Sequence, residues 1–538
     1  MSNVDCVFLV TVLNLVTALM RFALPPGAND RSARLNLLGK AVAVAALVGS
    51  LGFFGYFAKV LLLKYPPVWP DEALYANPAI VLIRYGIPGF TLLGGIFPGA
   101  AHHNFLIPPV YVLYLWAIFS IFRVGIVQAR LGSVAAALAA LFLTYGVARR
   151  CGLGRWVSLL PVSLMALDTL FLRGALVARA DMLELALLLL SFWLAAPLLD
   201  PGARVRPMRL FCVGLASGLA VLMLHMSTVV STVFLAGLAA AAAGDRKKVL
   251  LPVLGGAAVP VLPWLGYAVL HWRDFLLQFG TQVARKADRH PLTLHQLTVS
   301  LNMDFSQYGQ TSIFIVLAWI GGIVGLLLVA RRNKFAAVMA ACQIAVLAVL
   351  IWGDEMWYGL YLVPLTMIGL VQLATLIAEN GSWRDEEGLR KVVGWLAVFV
   401  AVWMAQNSLV TTSSFNYDVN TVFARETNYV SWAQQVSKAI PRGSTVLLSV
   451  TPDPYFVLFN RPDLSLREFI PGFKLGRRTE LRYLMGADYI ITRGPLPSKR
   501  VWAFVHAHAR LVKQVGNPFY WGYYAGVYKV VKKQAGAE

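Results

Sequence analysis

The sequence predicts an α-helical polytopic membrane protein of about twelve spans, with in-plane helices in its first outer loop and a small C-terminal α/β extracytoplasmic domain. Three observations predict it. Of 538 residues, 58% are hydrophobic and only 14% charged, with a mean hydropathy of +0.66. A soluble domain is nearer half apolar and a quarter charged. Apolar runs of ~20 residues, the length a span needs, recur up to about residue 410. Basic residues gather in alternate loops between those runs, as they do in short cytoplasmic loops.

The candidate spans lie at roughly 6–24, 37–63, 130–148, 156–172, 182–199, 208–227, 228–243, 249–270, 311–330, 335–352, 359–378 and 391–410. The first begins MSNVDCVFLVTVLNLV, with no basic n-region and no clear cleavage site, so it is not read as a removable signal. The basic loops carry Arg31, Arg34 and Lys40; Arg149, Arg150 and Arg155; Arg204, Arg206 and Arg209; Arg246, Lys247 and Lys248; Arg331, Arg332 and Lys334; and Arg384, Arg390 and Lys391. These loops are expected inside, and the remaining loops outside with everything after residue 411. Membrane topology therefore absorbs much of the net charge of +21. No basic run with interleaved aromatics suggests a nucleic-acid site. Cys6, Cys151, Cys212 and Cys342 sit in or beside spans and form neither a disulfide framework nor a metal-ligand spacing.

Two domains follow: a membrane part at 1–410 and an extracytoplasmic part at 411–538. The first outer loop, about 64–129, contains VWPDEALYAN (68–77) and the aromatic stretch HHNFLIPPVYVLYLWAIFSIF (102–122). A span at 102–122 would invert every later loop, so this stretch is read as a helix in the outer interface. A second outer loop, 271–310, is too long for a mere turn. The tail changes character. Its runs STVLLSV (444–450), DYIIT (488–492) and YYAGVYKVV (523–531) read as strands, and ETNYVSWAQQVSKAI (426–440) reads as a helix. With 17 Lys or Arg against 8 Asp or Glu it is basic, which suits either a solvated surface or a lid over anionic headgroups.

Charge just outside a membrane span is where chemistry is sought. Asp71 and Glu72 directly follow a span. Asp71 there is either a helix cap with Glu72 as first-turn charge, or a base within reach of a substrate whose phosphate sits at headgroup height. The loop LFLRGALVARADMLE (170–184) adds Arg173, Arg179 and Asp181, charges that are costly at membrane depth. His225 ends the Gly/Ala-rich run GLASGLAVLMLHMSTVV (214–230), and Tyr361 lies in WGDEMWYGLYLVP (352–364) at the outer end of a late span pair. His102 and His103 share a loop with Glu72 and are weak candidates for a divalent metal, with no recognised ligand spacing. The candidate catalytic residues are thus Asp71 and Glu72, and the candidate substrate-binding residues are Arg173, Arg179, Asp181, His225 and Tyr361.

In this order the chain has a DE pair in the first outer loop, a Pro-Pro aromatic stretch, an ARL…ARR span, an Arg-x-Asp loop, GLASGLAVL followed by a polar residue, and a late Tyr-x-x-Pro. Over about 65–380 this resembles the bacterial relatives of dolichyl-phosphate-mannose protein mannosyltransferases and aminoarabinose transferases, within the GT-C superfamily of membrane glycosyltransferases. The resemblance implies Asp71 as catalytic carboxylate, Glu72 as its partner, and Arg179 and Asp181 as cavity residues. It also implies a polyprenyl-phosphate sugar donor and an acceptor hydroxyl on a glycan, lipid or protein, joined with inversion at the outer face of the cytoplasmic membrane. Aminoarabinose transferases have a Lys-Gly-Pro stretch where this chain has His225-Met226-Ser227, so the lipid A substrate is not carried over. The alternative is a transporter or flippase of an envelope precursor. That reading predicts inverted repeats and charges at the bilayer midplane, and neither is visible in the sequence.

Overall fold

The structure is a computed structural model. It describes residues 31–287, 312–380 and 428–532, apart from 65, 98, 200–205, 224–225, 242–245, 354–355, 471–475, 495–497 and 518–522. The expected spans at 6–24 and 391–410 lie outside the described residues. The others appear as helices. In chain order these are α1 (Arg31–Leu61), α2 (Pro70–Tyr85), α3 (Pro109–Phe122), α4 (Ile126–Arg150), α5 (Leu159–Leu167), α6 (Thr169–Ala175), α7 (Asp181–Ala195), α8 (Pro207–Val221), α9 (Met226–Ala241), α10 (Arg246–Leu270), α11 (Trp272–Ala287), α12 (Ser312–Ala330), α13 (Lys334–Gly353) and α14 (Val363–Asn380). Among the described residues, four helical stretches are long and apolar enough to cross a membrane: Gly39–Leu61, Ile126–Arg150, Asp181–Leu199 and Lys247–Leu270. Shorter apolar helices accompany them, and the chain is a multi-pass membrane protein.

Two segments refine the sequence reading. The run 156–172 is not one span: Asp168 ends α5 and caps α6, accepting a hydrogen bond from Phe171 N–H at 3.0 Å. A cap residue satisfies a donor that the helix itself leaves open, so the chain bends there. The stretch 102–122 contains the 14-residue α3. At ~1.5 Å per residue that helix falls short of a hydrocarbon core of ~30 Å. Proline begins it at Pro109, where a missing N–H costs nothing.

The membrane helices pack closely where glycine permits. A Cβ added at Gly214 of α8 would overlap Val253 O of α10, and one at Gly256 of α10 would overlap Phe211 O of α8. Without a water-driven hydrophobic effect between helices, such backbone-to-backbone approach is a main source of packing energy in lipid.

Beyond residue 427 the chain forms a five-stranded sheet flanked by helices. Its strands are β1 (Thr445–Ser449), β2 (Ser465–Glu468), β3 (Tyr489–Thr492), β4 (Ala509–Gly516) and β5 (Tyr524–Val530), in the order β2-β1-β3-β5-β4. β2, β1 and β3 run parallel, and β5 and β4 add antiparallel hairpin strands. The helices are α15 (Tyr429–Lys438), α16 (Tyr455–Leu458), α17 (Arg477–Met485) and α18 (Lys499–His508). This unit sits on the loop at 64–129. Asp453 N–H donates to Val68 O (2.8 Å), Asn77 Nδ2 to Tyr455 Oη (2.9 Å), Arg84 Nη2 to Phe459 O (2.9 Å) and Tyr523 Oη to Leu63 O (2.8 Å). One apolar core runs from α2 and α3 into the sheet. The C-terminal unit thus clamps the loop that carries Asp71 and Glu72.

Candidate active site

The site begins where α2 begins. Pro70 starts the helix, Trp69 precedes it, and Asp71 and Glu72 fall in its first turn. Adjacent helical residues point in different directions, and these two acids meet opposite fates. Glu72 is fully buried. Its carboxylate accepts from Trp69 N–H (3.0 Å), Ala178 N–H (2.8 Å), Arg130 Nε (2.9 Å) and Arg130 Nη2 (2.6 Å). Arg130 comes from the first turns of α4, is itself fully buried, and also donates to Leu62 O (2.8 Å) and Pro66 O (2.9 Å). Its planar fork suits a carboxylate met in bidentate fashion. This ion pair ties together the end of α1, the start of α2, α4 and the loop before α7.

Asp71 faces the other way and its side chain is 36% exposed. Arg179 Nη1 lies 3.0 Å from Asp71 Oδ2, and Arg179 Nε lies 3.0 Å from Asp181 Oδ2. One guanidinium thus bridges an acid in the first turn of α2 and an acid at the start of α7. The Arg179 guanidinium carbon is 5.9 Å from the Tyr75 ring, and Tyr75 sits one turn after Asp71. That ring in turn packs edge-on against Tyr111 of α3 at 5.5 Å. Burial pushes the Tyr75 phenol far above its ordinary range, partly opposed by Arg179, so Tyr75 remains neutral. A cleft lined by Leu170, Gly174, Val177, Arg179, Asp181 and Leu360 opens beside this group.

A second buried acid supports α7. Glu184, one turn after Asp181, accepts from Ser227 N–H (2.7 Å) and from Tyr361 Oη (2.8 Å). Tyr361 ends the 3-10 helix Met356–Tyr361 and is buried. Glu184 therefore fastens α7 to the start of α9 and to the segment before α14.

Comparison with known proteins follows from this geometry. No protein-family model and no curated protein matches the sequence. Solved structures do match. ArnT from Cupriavidus metallidurans bound to undecaprenyl phosphate is similar with a TM-score of 0.55 and 15% identity, covering 94% of this chain and 100% of that one. The apo oligosaccharyltransferase of Archaeoglobus fulgidus is similar with a TM-score of 0.52 and 12% identity, covering 84% of this chain and 69% of that one. The arabinofuranosyltransferase AftD from Mycobacteria gives 0.50 and 13%, covering 92% of this chain and 42% of that one.

The chain has the GT-C fold.

On the GT-C scaffold, Asp71, Arg179 and Asp181 form one hydrogen-bonded group, with Glu72 held directly behind it. Tyr361 approaches through Glu184. Arg173 lies on α6, next to Gly174 of the cleft. His225 lies outside the described residues, as do Asp354 and Glu355. The histidines go elsewhere. His103 Nδ1 shares a hydrogen bond with Tyr267 Oη (2.9 Å), its ring stacks on His271 at 3.8 Å, and Asp274 Oδ2 is 3.9 Å from Nε2. Partial desolvation and the neighbouring His271 hold the His103 imidazole below its usual range. Gln278 of α11 fixes the same loop, donating to His103 O and accepting from Phe105 N–H, both at 2.9 Å. A metal set of His102, His103 and Glu72 does not fit, because both Glu72 oxygens are already engaged by Arg130 and backbone N–H groups. Among the described residues no group of three or more His, Cys, Asp or Glu is arranged to hold a metal ion.

Arg130 and Tyr75 are not among the residues that the sequence singles out for the site. Arg130 stands in the quoted ARL, where its charge at the edge of an apolar run was the available signal.

Proposed function

We propose that this protein is a glycosyltransferase that moves a sugar from a polyprenyl-phosphate donor to an acceptor hydroxyl, with inversion, at the outer face of the cytoplasmic membrane. The observation that carries the reading is Asp71: an acid 36% exposed, bridged by Arg179 to Asp181, at a cleft on a GT-C scaffold. The undecaprenyl phosphate bound to ArnT supports a lipid-phosphate donor.

In this reading the acceptor hydroxyl oxygen attacks the anomeric carbon while Asp71 takes its proton. The bond from that carbon to the phosphate oxygen breaks, and polyprenyl phosphate leaves with the electron pair. A phosphate is already a competent leaving group, so no strong acid is needed. The developing charge needs donors placed in advance. Arg179 is the first candidate, Arg173 the second and His225 the third. Glu72 positions rather than reacts: its burial and its Arg130 pair hold the first turn of α2 still, so that Asp71 stays where it is aimed. Tyr361 positions Asp181 through Glu184. No step is assigned to a metal. In this reading the C-terminal unit lies outside the cytoplasm, which the alternation of basic loops supports.

The test uses purified protein in lipid nanodiscs with a panel of radiolabelled polyprenyl-phosphate sugars. Asp71→Asn keeps shape and hydrogen bonding but removes basicity, and should lower turnover by ~10²–10⁴-fold. Were Asp71 only a cap, Asn would replace it well. Near-normal transfer by Asp71→Asn would therefore refute the assignment.

A further inference from the structure

Two acids of the C-terminal unit have no part in the reaction above. Asp453 follows β1, and Glu468 ends β2, the parallel neighbour of β1. Their carboxyl groups lie close enough for each to influence the other's ionisation. Asp453 is 0% exposed and Glu468 is 1% exposed. Asp453 Oδ1 accepts from Tyr455 N–H at 2.7 Å. Asp453 Oδ2 and both Glu468 carboxyl oxygens receive no N–H or O–H from any described residue. Among the described residues, no Lys, Arg or His forms an ion pair with either acid. Two ionised carboxylates cannot donate to one another, and a buried charge without a partner is costly. A single proton between them removes one charge and supplies the missing donor.

The surroundings agree. Glu72 lies close enough to Asp453, and Asp71 to Glu468, to oppose ionisation of each. The other polar groups packed around them are neutral phenols: Tyr429 donates to Asp453 O (2.6 Å), Tyr483 to Glu468 O (2.9 Å), and Tyr455 is held by Asn77. Of the guanidinium groups in this region, Arg130 is taken by Glu72, Arg84 donates to Phe459 O, and Arg467, beside Glu468 on β2, lies 5.7 Å from the Tyr483 ring. Burial pushes the Asp453 carboxyl up to about 7, and burial with Asp453 beside it pushes Glu468 well above the carboxylate range.

The position of the pair gives it a role. Asp453 N–H donates to Val68 O, and Val68 precedes Trp69, whose own N–H is bound by Glu72. We propose that Asp453 and Glu468 share one proton and, in that form, clasp the C-terminal unit onto the strand of loop that starts α2, so that they are positioning residues for Asp71. The clasp is a pH-dependent joint between the two parts of the molecule. An acid held above its ordinary value in the folded state stabilises it fully below the unfolded value, and that contribution is lost as pH rises through the folded value. The joint should accordingly be tight at pH 5 and loosen towards pH 8.

The experiment needs no sugar substrate, so its failure is separable from failure of the transferase reading. Hydrogen exchange is followed by mass spectrometry on the full chain in nanodiscs, with rates corrected for intrinsic pH dependence. In wild type, protection of the 66–75 segment should fall as pH rises from 5 to 8, by up to ~10-fold per pH unit, the limit for one linked proton. Glu468→Gln is nearly isosteric, cannot ionise and can donate to Asp453, so it should flatten that fall. Asp453→Asn should do the same from the other side. A wild-type profile without pH dependence would overturn the proposal, as would identical slopes in wild type and both variants. A rise in Tm on adding Mg²⁺ or Zn²⁺ at pH 8, abolished by Glu468→Gln, would also overturn it, since the pair would then hold a cation instead of a proton.

Discussion

Asp71 and Glu72 are neighbours in sequence, yet their isosteric amides should behave in opposite ways. Glu72 and Arg130 are both fully buried and share two hydrogen bonds, at 2.9 and 2.6 Å. Arg130→Met removes both of these and the two further bonds to Leu62 O and Pro66 O. It leaves the Glu72 carboxylate buried with only two backbone N–H partners. Breaking a buried pair from one side costs ~3–5 kcal/mol, or roughly 10²–10⁴ in the folded-to-unfolded ratio. Glu72→Gln should fall near the lower end, because an amide still accepts but turns an N–H toward Arg130. Asp71→Asn, at a half-open surface, should stay within ~0.5 kcal/mol of wild type. The assay is reversible unfolding in mixed micelles, read by circular dichroism, with Arg130→Met, Glu72→Gln and their double variant forming a mutant cycle. Additive single effects would refute the pairing. So would an Asp71→Asn variant as unstable as Glu72→Gln, for then the two acids would share one structural task.

Other outcomes follow from the same geometry. Arg179→Ala should weaken undecaprenyl phosphate binding more than Arg179→Lys, since Lys keeps the charge and loses the planar fork; equal affinities by calorimetry would make Arg179 a purely structural bridge. Tyr361→Phe removes one of the two donors to the buried Glu184 and should cost ~1.5–3 kcal/mol, seen as a lower unfolding midpoint, with a smaller loss of turnover than Asp71→Asn. A periplasm-active reporter fused after residue 411 should be active, and one placed at 245–248 should not; the reverse result would turn the proposed site to the cytoplasm.

Apolar runs announce most of the helices because a membrane helix must satisfy its backbone internally and face lipid over most of its length. The strands at 444–450, 488–492 and 523–531 are legible from their β-rich, alternating runs, whereas the loop at 271–310 is marked only by its length and helix α11 inside it is not read from the sequence. β4 was not. Along Ala509–Gly516 only Val515 is buried, so an edge strand with two exposed faces shows no period to read. β2 was hidden because its inward residue is Glu468, an acid where alternation expects an apolar side chain. In the site, the meeting of Asp71 with the Arg179–Asp181 loop was anticipated from topology. The sequence also separates Asp71, the acting acid, from Glu72, its partner; how Glu72 is held is not legible there, since it depends on Arg130, which is 58 residues further along.

The touching backbones of α8 and α10 carry a consequence for how a long lipid reaches the cleft. Where Gly214 meets Val253 and Gly256 meets Phe211, carbonyl groups of one helix rest against the Cα atoms of the other. No seam remains there for an isoprenoid chain to slip through. Gly322 and Gly369 lock α12 against α14 in the same manner. On the proposed donor reading, a polyprenyl tail would have to thread past a different pair of helices, with the two welded pairs as fixed walls on either side of a lateral entrance.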